Sequence, residues 1–245
     1  MLLWKRSDLK GANQVIPDIV EIASLIGDES RAAMLMYLAD GRSLPANELA
    51  RAAGVTPQTA SAHLAKMVHG GLLVAEPYGR HRYYRLANAE VGLALESLNA
   101  IANPKPIRSL RQSEQVRALR FARTCYDHLA GDLGVALTDM MREGGLIQEV
   151  GRDYVVTVDG ERWFEGFDID LDALRRSRRH FARQCLDWSA RRHHLAGALG
   201  SAMMNRLLEL KWIERIPGGR AMRVTETGFR EMERDLKISL SSALR

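Results

Sequence analysis

The sequence predicts a mainly helical α+β chain with small β-hairpins. An N-terminal unit of helices and one hairpin comes first, followed by an internally duplicated helix-helix-hairpin region. Three observations carry this prediction. Apolar residues recur at helical spacing as far as residue 69, and after Gly70-Gly71 the pattern becomes strand-like. Pro104-Lys-Pro106 places two prolines around one residue, which no helix can cross. Blocks of sequence beginning at Phe121 return at Phe181. The division expected from these is a unit over residues 1–103 and a second over 107–245, with repeats at about 117–165 and 177–235.

The elements of the first unit follow in order. Residues 29–39 space their apolar side chains as a helix, which Asp40-Gly41 and Pro45 close. A short helix over 47–53 stops at Gly54, the residue type that enters the left-handed region at least cost. Thr56 is a good N-cap for the next helix and Pro57 suits its first position, where the missing N–H would have no partner anyway. Ala60, Leu64 and Met67 form the inward stripe of that helix, leaving Gln58, Thr59, Ser61, Ala62, His63 and Lys66 facing outward. Residues 72–75, a turn over 77–80 and residues 81–86 then make a β-hairpin whose tip carries Arg80, His81 and Arg82.

Helix, short polar helix, helix and basic hairpin is the order of a winged helix-turn-helix, which sets one helix in a major groove and a wing on the flanking backbone. Between residues 51 and 85, Arg51, Lys66, Arg80, Arg82 and Arg85 stand against Glu76 alone, a local net charge of +4 where phosphate contacts would need it. The expected partner is double-stranded DNA. Gln58, Ser61 and His63 would approach base edges, and Thr56 and Thr59 would support the helix start or bind phosphate. Lys66, Arg80 and Arg82 would bind backbone, with His81 beside them at the wing tip. The alternative is a protein-interaction or scaffold module without sequence-specific DNA binding, since the same fold serves both uses.

Composition adds little beyond this. The 245 residues carry a net charge of +5 and a pI near 9.4, which suit a polyanionic partner. Two cysteines make no disulfide framework, and Met1-Leu-Leu-Trp-Lys-Arg6 opens no apolar run for secretion or membrane insertion. A cytoplasmic location without membrane association is therefore expected.

Residues 15–102 resemble the ArsR-type family of winged-helix repressors, the arsenic and metallothionein-repressor type. The likeness rests on Leu25-Ile-Gly-Asp-Glu-Ser-Arg-Ala-Ala-Met-Leu35, on Glu48-Leu-Ala-Arg-Ala-Ala-Gly-Val-Thr-Pro-Gln-Thr-Ala-Ser-Ala-His-Leu64 and on Gly79-Arg-His-Arg-Tyr-Tyr-Arg-Leu86. The resemblance implies a homodimeric transcriptional repressor on an imperfect palindrome, released by an inducer. It further implies dimerisation through the first and last helices of the unit, here residues 15–26 and 88–102. The second of these has Val91, Leu95, Leu98 and Ile101 as an apolar seam; ordinary intramolecular core is the alternative use for such a seam. The sequence departs from the family where known members hold metal. Residues 44–50 contain no Cys-x-Cys pair, and residues 88–102 contain no histidine. Ala62 and Ala65 also stand where a basic residue is common in the family, so the wing is expected to carry more of the affinity.

The region after Pro106 repeats itself. Phe121-Ala-Arg-Thr-Cys-Tyr-Asp127 matches Phe181-Ala-Arg-Gln-Cys-Leu-Asp187, and His128-Leu-Ala-Gly-Asp-Leu-Gly-Val-Ala136 matches His194-Leu-Ala-Gly-Ala-Leu-Gly-Ser-Ala202. Residues 188–193 are extra in the second copy, and Val156-Thr-Val-Asp-Gly160 parallels Val224-Thr-Glu-Thr-Gly228. Positions kept in both copies have survived independent drift within one chain. The shared small residues Ala130, Gly131 and Gly134, with Ala196, Gly197 and Gly200, suggest helices in close approach.

The shared Cys, Asp, His and Arg residues mark a possible effector site: Cys125, Asp127, His128 and Arg123 in one copy, Cys185, Asp187, His193, His194 and Arg183 in the other. Thiolate, imidazole and carboxylate donors suit a metal or metalloid, and the two thiols suit redox sensing. The effector is otherwise a small organic molecule, or there is none. The fold itself requires no cofactor; a metal ion or thiol chemistry would act at Cys125 and Cys185. Purely structural uses compete, namely buried cysteines as small hydrophobes and a buried Arg–Asp pair between the copies. The arginine runs at 108–123 and 175–192 read mostly as solvated helix faces with ion pairs to Glu165, Asp168, Asp170 and Asp172. No Gly-rich phosphate loop, Gly-x-Ser-x-Gly elbow or His-Glu-x-x-His helix occurs, so no enzyme is expected.

Overall fold

The computed structural model describes residues 18–79, 81–103, 106 and 109–238. Val15 to Pro17 of the expected first helix, the wing residue Arg80, Pro104 and Lys105 of the expected boundary, and Arg108 lie outside the described residues.

The N-terminal unit builds α1 (Ile19–Ile26), α2 (Glu29–Leu38), β1 (Leu44–Pro45), α3 (Ala46–Ala53), α4 (Pro57–His69), β2 (Leu73–Tyr78), β3 (His81–Leu86) and α5 (Ala89–Ile101). Short-range chemistry fixes its ends. Asp28 caps α2 through the Arg31 N–H, Thr56 caps α4 through the Thr59 N–H, and Asn88 caps α5 through the Val91 N–H. Gly54 ends α3 at φ 66°, as its sequence position requires. Met34, Leu35, Leu38, Leu49, Leu64, Met67, Leu73 and Leu86 close one core beneath a three-stranded antiparallel sheet of order β1-β3-β2.

Two details differ from the sequence reading. The hairpin turn is tighter than residues 77–80, because Pro77 and Tyr78 pair with Arg82 and His81 inside the ladder. Proline is tolerated there because β2 is an edge strand whose other side makes no ladder. His63 does not face outward. It is half-buried against the start of α2, its Nδ1 3.3 Å from the Arg31 guanidinium and its Nε2 4.0 Å from Asp28.

The remainder forms α6 (Leu110–Phe121), β4 (Arg123–Cys125), β5 (His128–Ala130), α7 (Gly131–Glu143), β6 (Ile147–Val150), β7 (Asp153–Val156) and α8 (Val158–Gly166). The second copy follows as α9 (Leu171–Arg176), β8 (Arg183–Leu186), β9 (His193–Ala196), α10 (Gly197–Glu209), β10 (Ile213–Arg215), β11 (Met222–Val224) and α11 (Glu226–Asp235). The first copy shows the helix, helix, hairpin order, with a further hairpin between its helices and a further helix at the end; in the second, α9 ends before residue 177, and the segment read as that copy's first helix holds β8 instead. The inner hairpins, β4–β5 and β8–β9, are the parts that the sequence did not announce.

The repeated glycines serve these hairpins and not a helix–helix contact. Gly131 and Gly197 have φ of 81° and 83°, and a Cβ on either would lie within 3 Å of a carbonyl in the segment before its own hairpin. Gly134 and Gly200 press on the carbonyls of Leu129 and Leu195, where a Cβ would come to 2.5 and 2.4 Å. Thr157 and Thr225 cap α8 and α11 in the same way, each accepting the N–H of the repeated glycine, Gly160 or Gly228. Packing crosses between the copies: α7 lies on β9, α10 lies on β5, and β5 meets β9.

Candidate functional site: a nucleic-acid interface and a buried cysteine-histidine cluster

The outer face of α4 presents Gln58, Thr59, Ser61, Ala62 and Lys66 to solvent, with Thr56 exposed at its cap. Two of the hydroxyls are engaged locally: Thr56 and Thr59 share a hydrogen bond of 2.9 Å, and Ser61 donates to the Pro57 carbonyl at 2.8 Å. Gln58 and Lys66 are thus the long polar side chains on this face. On the wing, His81 and Arg82 are exposed, while Arg85 is held by Glu76 at 2.8 Å. That pair takes up the single local carboxylate and leaves the local excess of +4 on Arg51, Lys66, Arg80 and Arg82. Arg80, the remaining wing cation, lies outside the described residues.

Behind this unit, the two inner hairpins bring the repeated residues together. In β4–β5, Cys125 pairs in register with His128; in β8–β9, Cys185 pairs with His194. The two cross-strand pairs face each other in the interior. Cys125 and Cys185 have their sulfurs 3.8 Å apart, and His128 and His194 have their Nε2 atoms 3.1 Å apart with their rings stacked. All four ligand atoms lie within 4.8 Å of one another and all four residues are buried. Contact with the Cys185 sulfur and burial push the Cys125 thiol well above its ordinary range. Burial, then the neighbouring His128, pushes His194 well below it.

The other sequence candidates have different places. Asp187 is buried and accepts from Arg123 at 2.8 Å, from the Gly131 N–H, and from the backbone and hydroxyl of Ser189 and the Ala190 N–H. Burial alone would raise its pKa; the Arg123 charge and these donors outweigh that and hold it near about 2. Arg123 is itself fully buried and stacks over the Trp188 ring at 4.4 Å. This is the Arg–Asp pair between copies, but its mirror image does not form. Asp127 is bound instead by Arg179 at 2.5 Å and lies 3.6 Å from the His128 Nδ1, leaving Arg183 half-buried at a cleft. His193 is exposed and takes no part in the cluster, because its neighbour His194 is the one in register with Cys185.

Several participants were not foreseen. Glu96 of α5 is 3% exposed and pairs with buried Arg220, and it also lies 4.0 Å from Arg123. A line of alternating charges, Arg220, Glu96, Arg123 and Asp187, thus runs from the last helix of the N-terminal unit to the repeated hairpins. The β4–β5 turn reinforces it. Tyr126, at φ 58°, donates its N–H to the Ala39 carbonyl at 2.8 Å and fills the space left by Gly92.

Comparison with known proteins places this arrangement. Residues 26–75 match a family described as a helix-turn-helix domain. The chain is 45% identical over 224 residues to the uncharacterized HTH-type transcriptional regulator YdfF of Bacillus subtilis (strain 168), covering 91% of this chain and 99% of that protein. The chain belongs to the helix-turn-helix transcriptional regulators. The matched segment of the regulator contains α4 in full. Among solved structures, it is similar to the homodimeric winged-helix domain of Mb0332 from Mycobacterium bovis, a possible ArsR-family regulator. That match is 28% identical at a TM-score of 0.32, covering 34% of this chain and 76% of that one. It is also similar to the cadmium sensor CMTR of Mycobacterium tuberculosis, 29% identical at a TM-score of 0.30, covering 38% and 100%. No described helix of the regulator is long and apolar enough to cross a membrane.

Proposed function

We propose that the regulator is an ArsR-type homodimeric repressor that reads a palindromic operator with α4 and is released by an effector acting on its duplicated C-terminal half. The observation that carries this reading is the solvent-facing set of Gln58, Lys66, His81 and Arg82 on a capped helix and an adjoining wing. Gln58 suits adenine in the major groove, and Lys66 and Arg82 suit phosphate. A repressor of this kind works where the chromosome is, in the cytoplasm, as a non-enzymatic protein. Its affinity for the operator falls steeply with salt, and Lys66→Ala and Arg82→Ala each reduce the slope of log K against log salt by about one while weakening all sequences alike. Titration of labelled operator and random duplex over a salt series checks this. Unchanged slopes in both variants take these residues off the DNA, and a flat salt response with no preference between duplexes supports the interaction-module alternative.

The dimer is proposed to form through α1 and α5. Ile101 is 80% exposed, Leu98 is exposed, and Ile19 and Val20 are exposed on α1, an apolar surface that pairing across a two-fold axis would cover. The double variant Leu98→Glu, Ile101→Glu is expected to sediment as a monomer and to lose operator affinity by more than tenfold while its circular dichroism is unchanged. A variant that remains dimeric moves the interface elsewhere.

A further inference from the structure

We propose that Cys125, His128, Cys185 and His194 form a closed, four-coordinate metal site, and that its occupant is Zn(II). The site lies away from the two places where the family resembled carries its metal ligands, residues 44–50 and 88–102 here, which have no cysteine and no histidine in this chain.

Two donor separations match those of a tetrahedral zinc site, within a set whose ligand atoms all lie within 4.8 Å of one another. A tetrahedral ion with zinc–sulfur bonds of ~2.3 Å holds its two sulfurs about 3.8 Å apart, and zinc–nitrogen bonds of ~2.05 Å hold two nitrogens about 3.3 Å apart. The Cys125–Cys185 and His128–His194 separations are 3.8 and 3.1 Å. The donor set is two thiols and two imidazoles, which favours a borderline or soft ion over magnesium or calcium. No fifth protein ligand is in the set, and burial of all four closes it to substrate, as in structural zinc sites.

The surroundings of the histidines make a second, independent observation. The two imidazoles bring their Nε2 atoms within 3.1 Å of each other and have Nδ1 near a carboxylate: His128 3.6 Å from Asp127, His194 3.9 Å from Asp187. Carboxylates behind the distal nitrogen are what fix ring orientation and tautomer at zinc-bound histidines. The His194 Nδ1 is buried and has no hydrogen-bond partner, with the Asp187 carboxylate 3.9 Å from it. Hairpin register supplies each repeat with one Cys–His pair, so the ion would join the two repeats across their pseudo-symmetry axis.

Charge balance agrees with burial. On binding, each thiol releases its proton to solvent, and Zn(II) with two thiolates and two neutral imidazoles carries no net charge. Without the ion the same interior holds two thiols in contact and two imidazoles in contact, a polar arrangement with few partners of its own.

The test uses the full chain purified without chelator, and it reads metal content in the absence of DNA, so its outcome is independent of the repressor reading. Elemental analysis is expected to find about one zinc per chain. Replacement by cobalt is expected to give the intense visible bands of a tetrahedral ion together with thiolate-to-cobalt charge transfer. Cys125→Ser, Cys185→Ser and His194→Asn each lose the ion, whereas His193→Asn, one residue from a ligand but exposed, keeps it in full. A thiol reagent modifies neither cysteine until a strong chelator is added, and then both. Where a ligand variant does not fold, the wild-type cobalt spectrum and thiol protection still decide. Folded wild-type protein with less than about 0.2 metal per chain after zinc reconstitution and no thiolate–cobalt band overturns the proposal, as does recovery of Cys125 and Cys185 as a disulfide that excludes metal.

Discussion

Asp187→Asn is expected to destabilise the protein by about 3–5 kcal/mol, the cost of stranding a buried charge. Arg123 is 0% exposed and its firmest anionic contact is Asp187 at 2.8 Å; Glu96 stands 4.0 Å away and is already engaged by Arg220. The amide cannot replace the carboxylate. One Asp187 oxygen accepts from the Ser189 N–H, the Ser189 hydroxyl and the Ala190 N–H, and the other from Arg123 and the Gly131 N–H. Whichever way an asparagine turns, its NH₂ faces donors. Removing both charges is the informative control: Arg123→Met with Asp187→Leu is expected to cost much less than Asp187→Asn alone, because no ion is left buried without a partner. Urea unfolding followed by circular dichroism measures both variants. A cost below about 1 kcal/mol for Asp187→Asn shows that solvent reaches Arg123 and that the pair contributes little.

This pair also marks the limit of what the sequence made legible. The N-terminal unit could be read because its instructions are local: Thr56-Pro57 starts a helix, Gly54 stops one, and the period changes after Gly70-Gly71. Its misreadings came from tertiary context. Pro77 looks like a turn residue until the sheet order makes β2 an edge, and His63 sits on the outward arc of a helix until α2 packs beside it. The inner hairpins were opaque for a different reason. Strands of three or four residues show no useful alternation, and the β4–β5 turn uses Tyr126 at positive φ where a glycine or asparagine would have signalled it. The repeat nevertheless held the answer for the histidines, since His128 aligns with His194 and not with His193. Identity between copies preserved Cys and His together because one strand pairing joins them. It could not reveal that Arg123 uses Asp187 while Arg183 does not use Asp127, because residues 188–193 exist in one copy only, and Trp188 and Ser189, which flank Arg123, belong to that insertion.

Glu96→Gln is expected to separate the winged helix from the repeated half, turning one unfolding transition into two. The carboxylate stands on α5, the final helix of the DNA-binding unit, and is buried against Arg220 with Arg123 next in line. The glutamine keeps the shape and one acceptor oxygen but not the charge, leaving Arg220 a neutral amide oxygen and the Thr124 carbonyl at 3.4 Å with no anion beside it. The cost belongs at the lower end of ~3–5 kcal/mol, since Arg220 retains a little exposure. Among the described residues, other contacts cross this boundary, among them Arg191 to the Ala100 carbonyl and Leu93 packed against Cys125 and Cys185. They also include Tyr126 N–H to Ala39, Arg42 to the Gly219 carbonyl at 3.4 Å, and Arg215 to Asp40 at 3.9 Å. Each half has hydrophobic clusters of its own, so each can persist when the link fails. Calorimetry is expected to show a single endotherm for the parent chain and two for the variant, and an unaltered single endotherm dismisses Glu96 as the link. The consequence reaches regulation. A switch in the repeated hairpins can bias α4 only through elements that move with both, and α5 with Glu96 and the Tyr126 turn is where the structure makes that connection. The variant should therefore keep its basal operator affinity within about threefold while losing the change that any C-terminal ligand produces. A variant that keeps that response shows that the signal crosses at Tyr126 instead.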